Sequence, residues 1–265
     1  MEISDAQGKH VRQLSSVKEA EKEQPPEWPD LEKSAVLLPA EAGLNRFAWD
    51  FRTDPPAQIP GAFYVGEPPR GPLVVPGTYQ IKLTVKGRTQ SAPLNVTIDP
   101  RIQNHVTAND LQMQMELAYK VRQDIDGLHR AVNQMRALRN NLQTLEKWAA
   151  AGSPNSEVIG AAKALDQKIS QVEESLIQVK MRSSEGNLRY PNMLNEQYAS
   201  FNDLIQGFDQ SPTAQQLLAY DDLHGRLSSQ LVKWQDTRTA DVQALNGLMR
   251  KNGVPTLSVG SGQDE

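Results

Sequence analysis

The sequence has no cysteine, which excludes a disulfide framework and thiol chemistry while leaving the compartment open. It has no basic excess: 28 Lys and Arg against 32 Asp and Glu give a net charge of −4, so no electrostatic footprint for a phosphate backbone exists and nucleic acid is not an expected partner. No apolar run approaches the roughly 20 residues that span a bilayer, so no membrane span is expected. Met1 leads straight into strand-like residues rather than a basic and apolar leader, so no signal peptide is expected in this chain. The four histidines, His10, His105, His129 and His224, are scattered without metal-ligand spacing. A nucleophile elbow, a phosphate-cradling glycine loop and a serine and histidine pairing are missing too. The expectation is therefore no catalytic residue, no cofactor and no metal.

What is present begins with strand patterning. From Thr78 to Val85 the apolar residues Tyr79, Ile81, Leu83 and Val85 alternate with polar ones, the period of a half-buried strand. Lys86, Gly87 and Arg88 make a short turn, and Leu94, Val96 and Ile98 carry the return strand. Phe47, Trp49 and Phe51 fall on one side of a further expected strand. Glu2 to Ser4 and Lys9 to Leu14 read as two short strands joined by a turn with Asp5 at its start and Gly8 at its end. Two long loops interrupt the pattern. Residues 17–34 are charged and proline-rich, with Trp28 either packed back on the domain or serving as a binding platform. Residues 53–77 hold seven prolines, with Phe63 and Tyr64 at their centre, either capping the domain or stacking a sugar ring. Asp50, Asp54 and Glu67 lie nearby, but spacing alone does not make a glycosidase pair of them.

Past Pro100 the period changes to that of helices. Thr107 and Asp110 resemble a capping box opening a helix to about Ala150, with Leu111, Met115, Ala118, Val121, Ile125, Leu128, Val132 and Met135 on its apolar stripe. At 1.5 Å per residue it would be roughly 65 Å long and needs partner helices. Val158, Ala162, Leu165, Ile169, Val172 and Leu176 keep an unbroken four-three spacing, a coiled-coil-like seam. A shorter helix around Tyr198 and a long final one through Leu227, Trp234 and Leu245 follow, ending at Gly253 and Pro255. These stripes, including Met113, Met115 and Tyr119, read as core rather than as a cofactor pocket. The seam does not specify which copy supplies its partner, so oligomeric state stays open.

The order of these pieces carries a resemblance. Gly43, Asn45, Trp49 and Asp50, then Gly71, Pro72, Pro76, Gly77, Thr78 and Tyr79, then Asp99, Pro100 and Arg101 look like the immunoglobulin-like domain of flagellar hook-capping proteins. Together with Tyr190, Pro191, Leu194, Asn195, Pro212, Thr213, Asn246 and Gly253 they more closely resemble the C-terminal module of bacterial sortilin-type Asp-box (BNR-repeat) propeller proteins, often labelled glycosyl hydrolases. No Asp-box occurs here, so any hydrolase activity that the resemblance implies belongs to a propeller outside this chain. The resemblance implies an exported, periplasmic or extracellular protein. The expected fold is two-domain, all-β plus all-α: an Ig-like antiparallel β-sandwich over residues 1–104, an elongated antiparallel bundle of about four helices over 105–256, and a disordered tail over 257–265. The expected function is a noncatalytic structural or protein-interaction module whose partner is a protein or the adjoining propeller. The alternative is a carbohydrate-binding accessory module using Trp28, Phe63 or Tyr64.

Overall fold

The structure, a computed structural model, describes residues 1–17, 36–150 and 156–257. Trp28, most of the charged segment 17–34 and the tail past 257 lie outside the described residues. The chain forms two compact units that interleave along the sequence. The first comprises Met1–Pro55, Arg70–Tyr119 and Ile205–Pro212, the second Pro56–Pro69, Lys120–Leu204 and Thr213–Glu265.

The first unit holds one antiparallel sheet of four strands in the order β2-β1-β3-β4, with β1 at Glu2–Asp5, β2 at His10–Gln13, β3 at Gly77–Val85 and β4 at Arg88–Val96. Asp5 sets the first turn, its carboxylate accepting from the Gln7 and Lys9 N–H groups at 3.0 and 2.8 Å. The β3–β4 turn is Lys86-Gly87 with φ of 48° and 78°, both left-handed, the type I′ geometry whose twist suits a two-residue hairpin. In such a hairpin Val85 and Arg88 form a hydrogen-bonded pair, and alternation then makes Gln80 and Pro93 a non-hydrogen-bonded pair. Pro93 thus turns its ring nitrogen, which has no proton to donate, toward the open rim of β4. At the opposite rim β2 is covered: the Asp54 N–H donates to Val11 O at 3.0 Å and the Gln13 N–H to Asp54 Oδ1 at 3.0 Å. Ile3, Val11 and Tyr79 form the core beneath the sheet, with Met1, Trp49, Val74, Ile81, Leu94 and Val96 packed around them.

The expected Ig-like sandwich is not formed. About half of the described residues are helical and 12% are in strands, all in one small sheet, so the fold is not an all-β domain followed by an all-α domain. The alternation through Phe47, Trp49 and Phe51 does not build a strand, because Phe51 sits at φ 57°, in the left-handed region where an extended chain cannot continue. The local geometry is held from several sides. Phe51 O accepts from the Val74 N–H at 2.8 Å, Trp49 Nε1 donates to Arg52 O at 3.0 Å, and Arg52 Nη1 donates to Gly71 O and to Gln206 Oε1. A single bridge, Arg52 to Leu73, is the ladder that remains. Gly71 is required at this crossing, since a Cβ there would stand 2.2 Å from Thr53 O. The first unit also takes in the opening turns of the first long helix, where Gln114 Nε2 donates to Ile205 O at 2.8 Å.

That helix, α1, runs Ala108–Ala150 and is capped as its sequence suggests: the Asp110 N–H donates to Thr107 Oγ1 at 3.2 Å and the Thr107 N–H to Asp110 Oδ2 at 2.8 Å. In the second unit its stripe from Val121 through Ile125, Leu128, Val132, Met135 and Leu138 to Leu142 is buried. Beside it lie α2 at Ser156–Leu176, α3 at Leu194–Ile205, α4 at Ala214–Asp236 and α5 at Val242–Lys251. The four-three seam of α2 is buried throughout. Thr213 caps α4 in a full capping box with Gln216. Between α4 and α5 the residues Thr237–Asp241 form one π turn, in which the Val242 N–H reaches back five residues to Thr237 O. Through it the buried positions run Trp234, Thr237, Val242, Leu245 and Met249.

Candidate functional site

Three arrangements bring polar or exposed apolar side chains together. In the first unit the apolar face of the sheet outruns its cover. Cross-strand partners share a face, so Tyr79, Ile81, Leu83 and Val85 lie on one face with Leu94, Ala92, Gln90 and Arg88, the last two opposite Leu83 and Val85. Tyr79 is buried and its hydroxyl donates to Val75 O at 2.6 Å, yet Leu83 is 42% and Val85 55% exposed. The other face is polar, with hydroxyl pairs such as Thr84 and Thr89 at 2.9 Å. Across the whole hairpin Gly77–Val96 the charged residues are Lys82, Lys86 and Arg88, with no acidic residue. Lys82 meets Glu2 of β1 at 3.5 Å. Alongside, Trp49 stands edge-on to both Phe51 and Tyr79, at ring separations of 5.4 and 5.9 Å. Phe51 itself is half exposed.

In the second unit a polar stripe on α1 fixes the proline-rich segment 56–69 through its backbone. Asp126 accepts from the Ala57 N–H at 2.7 Å, His129 Nδ1 bonds to Ala57 O, Asn133 Nδ2 donates to Gln58 O at 2.8 Å, and Arg136 Nη1 donates to Pro60 O at 2.9 Å. Positions 126, 129, 133 and 136 recur at helical spacing on one face, so each side chain meets the next stretch of extended backbone. Arg130 pairs with Asp126, and the carboxyl is held below its ordinary value by the Ala57 N–H and Arg130 against the opposing effect of burial. Farther in, His129 is fully buried and its Nε2 lies 2.7 Å from Asn195 Oδ1. Asn195 Nδ2 donates to Glu196 Oε1 at 3.1 Å, and the Tyr64 hydroxyl stands 3.4 Å from both His129 Nε2 and Asn195 Oδ1. Burial pushes the Tyr64 phenol up to about 12 and pushes His129 down, the latter against Ala57 O, Asn195, Asp126 and Glu196.

The third arrangement joins α1 to α3 and α4. Asp124 Oδ2 accepts from the Tyr198 hydroxyl at 2.9 Å and bonds to His224 Nδ1 at 2.8 Å, while Tyr220 stacks on the His224 ring at 5.5 Å. Burial and the Asp124 charge raise both phenols, Tyr220 to about 12. The histidine is oriented by a carboxylate and half open to water, and no nucleophile is aligned with it in the contacts above. A neighbouring ion-pair group ties α1 to α2: Glu173, with a side chain 3% exposed, accepts from Arg136 Nε at 2.8 Å and Arg139 Nη1 at 2.7 Å, and Arg139 Nε reaches Asp166 at 2.9 Å.

Among the residues singled out from the sequence, Tyr64 is enclosed, its hydroxyl in the His129 network, so its ring has no open face for a sugar. Phe63 next to it is partly covered, and Trp28 lies outside the described residues. Asp54 bonds to His10 at 2.6 Å and to the Gln13 N–H, whereas Asp50 accepts from the Arg52 N–H at 3.2 Å. From the sequence His129 stands only as a scattered histidine and Asn195 only within the resemblance, neither with a site role, and Glu196 is not singled out. A signal for His129 was available in the helical spacing of Asp126, His129, Asn133 and Arg136. Among the described residues no group of three His, Cys, Asp or Glu is placed to hold a metal ion, and no helix is long and apolar enough to cross a membrane. Comparison with protein-family models, curated proteins and solved structures gives no match.

Proposed function

We propose that this chain is a noncatalytic protein-interaction module whose docking surface is the outer half of the β3–β4 sheet face. One observation carries the reading: the apolar row that begins in the core at Tyr79 continues through Ile81 to the exposed Leu83 and Val85, on a hairpin whose charges are all basic. A surface continuous with a core and uncovered at one end is the kind that a partner completes. Because the net charge of the chain is −4, this hairpin is a local reversal of sign, and it favours a protein element with an apolar face and acidic flanks. The apolar row runs along β3 from Tyr79 to Val85 and is continuous with the core, which favours a packed protein element over a lipid surface. In the class of exported sortilin-type propeller proteins that the sequence resembles, that partner is the adjoining propeller. The carbohydrate-binding reading stands second, resting on the partly covered ring of Phe63.

Photo-crosslinking from the two faces of the hairpin tests this. A benzophenone side chain at Leu83 is expected to trap one discrete protein in the source cells, and one at Thr84, on the opposite face, is not. The Val85→Lys substitution should abolish that product while leaving the thermal transition in place. Equal labelling from both faces, or none from Leu83, would overturn the proposal.

A further inference from the structure

The buried chain of His129, Asn195 and Glu196 poses a hydrogen-bonding problem that one additional proton solves. His129 has an oxygen acceptor, Ala57 O, at Nδ1, so that nitrogen must carry a proton. At Nε2 it faces the Asn195 amide at 2.7 Å, and the other end of that amide faces Glu196 Oε1 at 3.1 Å. The two ends of an amide are nearly isosteric, so both orientations count. With the amide oxygen toward His129, Nε2 must also donate, and the ring is an imidazolium opposite a carboxylate. With the amide nitrogen toward His129, the ring is neutral, but the amide oxygen then meets a carboxylate oxygen, and Glu196 must carry the proton. A neutral imidazole with an ionised Glu196 leaves two acceptors in contact in either orientation.

We infer that the buried chain of His129, Asn195 and Glu196 holds one proton at neutral pH beyond those of a neutral imidazole and a carboxylate, and that this proton clasps the segment 57–64 to α1 and α3. Burial opposes a charge on His129, while Ala57 O, Asn195, Asp126 and Glu196 favour it. His129 and Glu196 are buried, and Glu196 accepts two further N–H groups, from Met193 at 2.8 Å and Gln178 at 3.4 Å, with no ion pair to a cation among the described residues. The groups facing His129 are Asp126 from its own helix, already paired with Arg130, the neutral Tyr64 phenol from the proline-rich segment, and Glu196 from α3. The Glu196 carboxylate lies in the first turn of α3 and accepts the Met193 and Gln178 N–H groups together with Asn195 Nδ2, and one shared proton makes the set neutral. Loss of that proton at alkaline pH leaves two acceptors in contact along the His129, Asn195 and Glu196 link, while Ala57 keeps its bonds to His129 Nδ1 and Asp126.

In the unfolded chain neither group is protonated much above pH 6.5, so the native state binds one proton more and stability falls as pH rises. The folding constant of the wild type relative to Glu196→Gln should therefore drop roughly tenfold per pH unit above pH 7, until the native chain releases its proton. The glutamine amide donates to Asn195 without needing that proton. Urea denaturation of both proteins between pH 6.5 and 9 measures the ratio, and a ratio independent of pH would overturn the inference. Should the variant not fold, NMR of the wild type decides. At pH 7, ¹⁵N shifts of His129 and the ¹³C shift of the Glu196 carboxyl should show an imidazolium or a protonated carboxyl. A neutral ring beside an ionised carboxylate would refute the proposal.

Discussion

Glu173 offers a quantitative test of how the helices are held in register. Its carboxylate is 3% exposed and receives one hydrogen bond from each of two arginines of α1, while Arg136 also supports Pro60 O. Removing one partner of a buried pair typically costs about 3–5 kcal/mol, because the charge left behind is uncompensated. Here the arginines are 33% and 27% exposed, so both guanidiniums can recover part of their hydration, and the expected loss for Glu173→Ala is at the lower end, about 3 kcal/mol. Glu173→Gln keeps the shape and one acceptor, and about half that loss is expected. Equilibrium urea denaturation followed by far-UV circular dichroism measures both. The loss from Glu173→Ala should shrink in an Arg136→Ala, Arg139→Ala background, where the stranded charges are gone. A loss below about 1 kcal/mol, the range of exposed ion pairs, would show that the pairing contributes no more than a surface contact and refute the argument.

Two further outcomes follow from the first unit and its helix cap. Gly71→Ala puts a methyl 2.2 Å from Thr53 O, a backbone atom that cannot rotate away, so a loss of at least about 1–3 kcal/mol is expected; a melting temperature unchanged within error would contradict that crossing. Hydrogen bonds from Ser211 and Thr107 hold the Asp110 carboxyl at about 2. The folded value lies below the unfolded one, so its contribution is present above roughly pH 4 and is lost as pH falls through about 2. A ¹³C titration of the Asp110 carboxyl should place its midpoint near 2; a midpoint near 4 would show that the cap is not made.

The elements that were legible in the sequence are those written by local physics. The Thr107 and Asp110 cap and the three-four stripe from Val121 to Leu142 specify α1, and the unbroken seam of α2 is buried where the spacing puts it. The β3–β4 hairpin follows from alternation plus Lys86-Gly87. What was illegible depends on contacts distant in sequence. Nothing local marks Phe51 as left-handed; the conformation is held by Val74, Gly71 and Gln206, and without them the alternation of aromatics reads as a strand and invites a second sheet. The cap of α4 is Thr213, while Ser211 two residues earlier bonds to Asp110, 101 residues away in sequence. Whether Tyr64 caps the domain or stacks a sugar is not legible locally, because its partners, His129 and Asn195, lie 65 and 131 residues away.

The π turn at Thr237–Asp241 bears on how this chain tolerates change in length. From Thr237 to Val242 the buried positions are five residues apart, where an ordinary helix would ask for four, and the widened turn absorbs the difference. Thr239 and Ala240 within it are exposed. The helix therefore carries one residue more than its buried stripe uses. Loss of that residue would return the segment to a regular helix with Trp234, Val242, Leu245 and Met249 still facing inward, so this is a point where relatives of the chain can differ in length by one while sharing the same core.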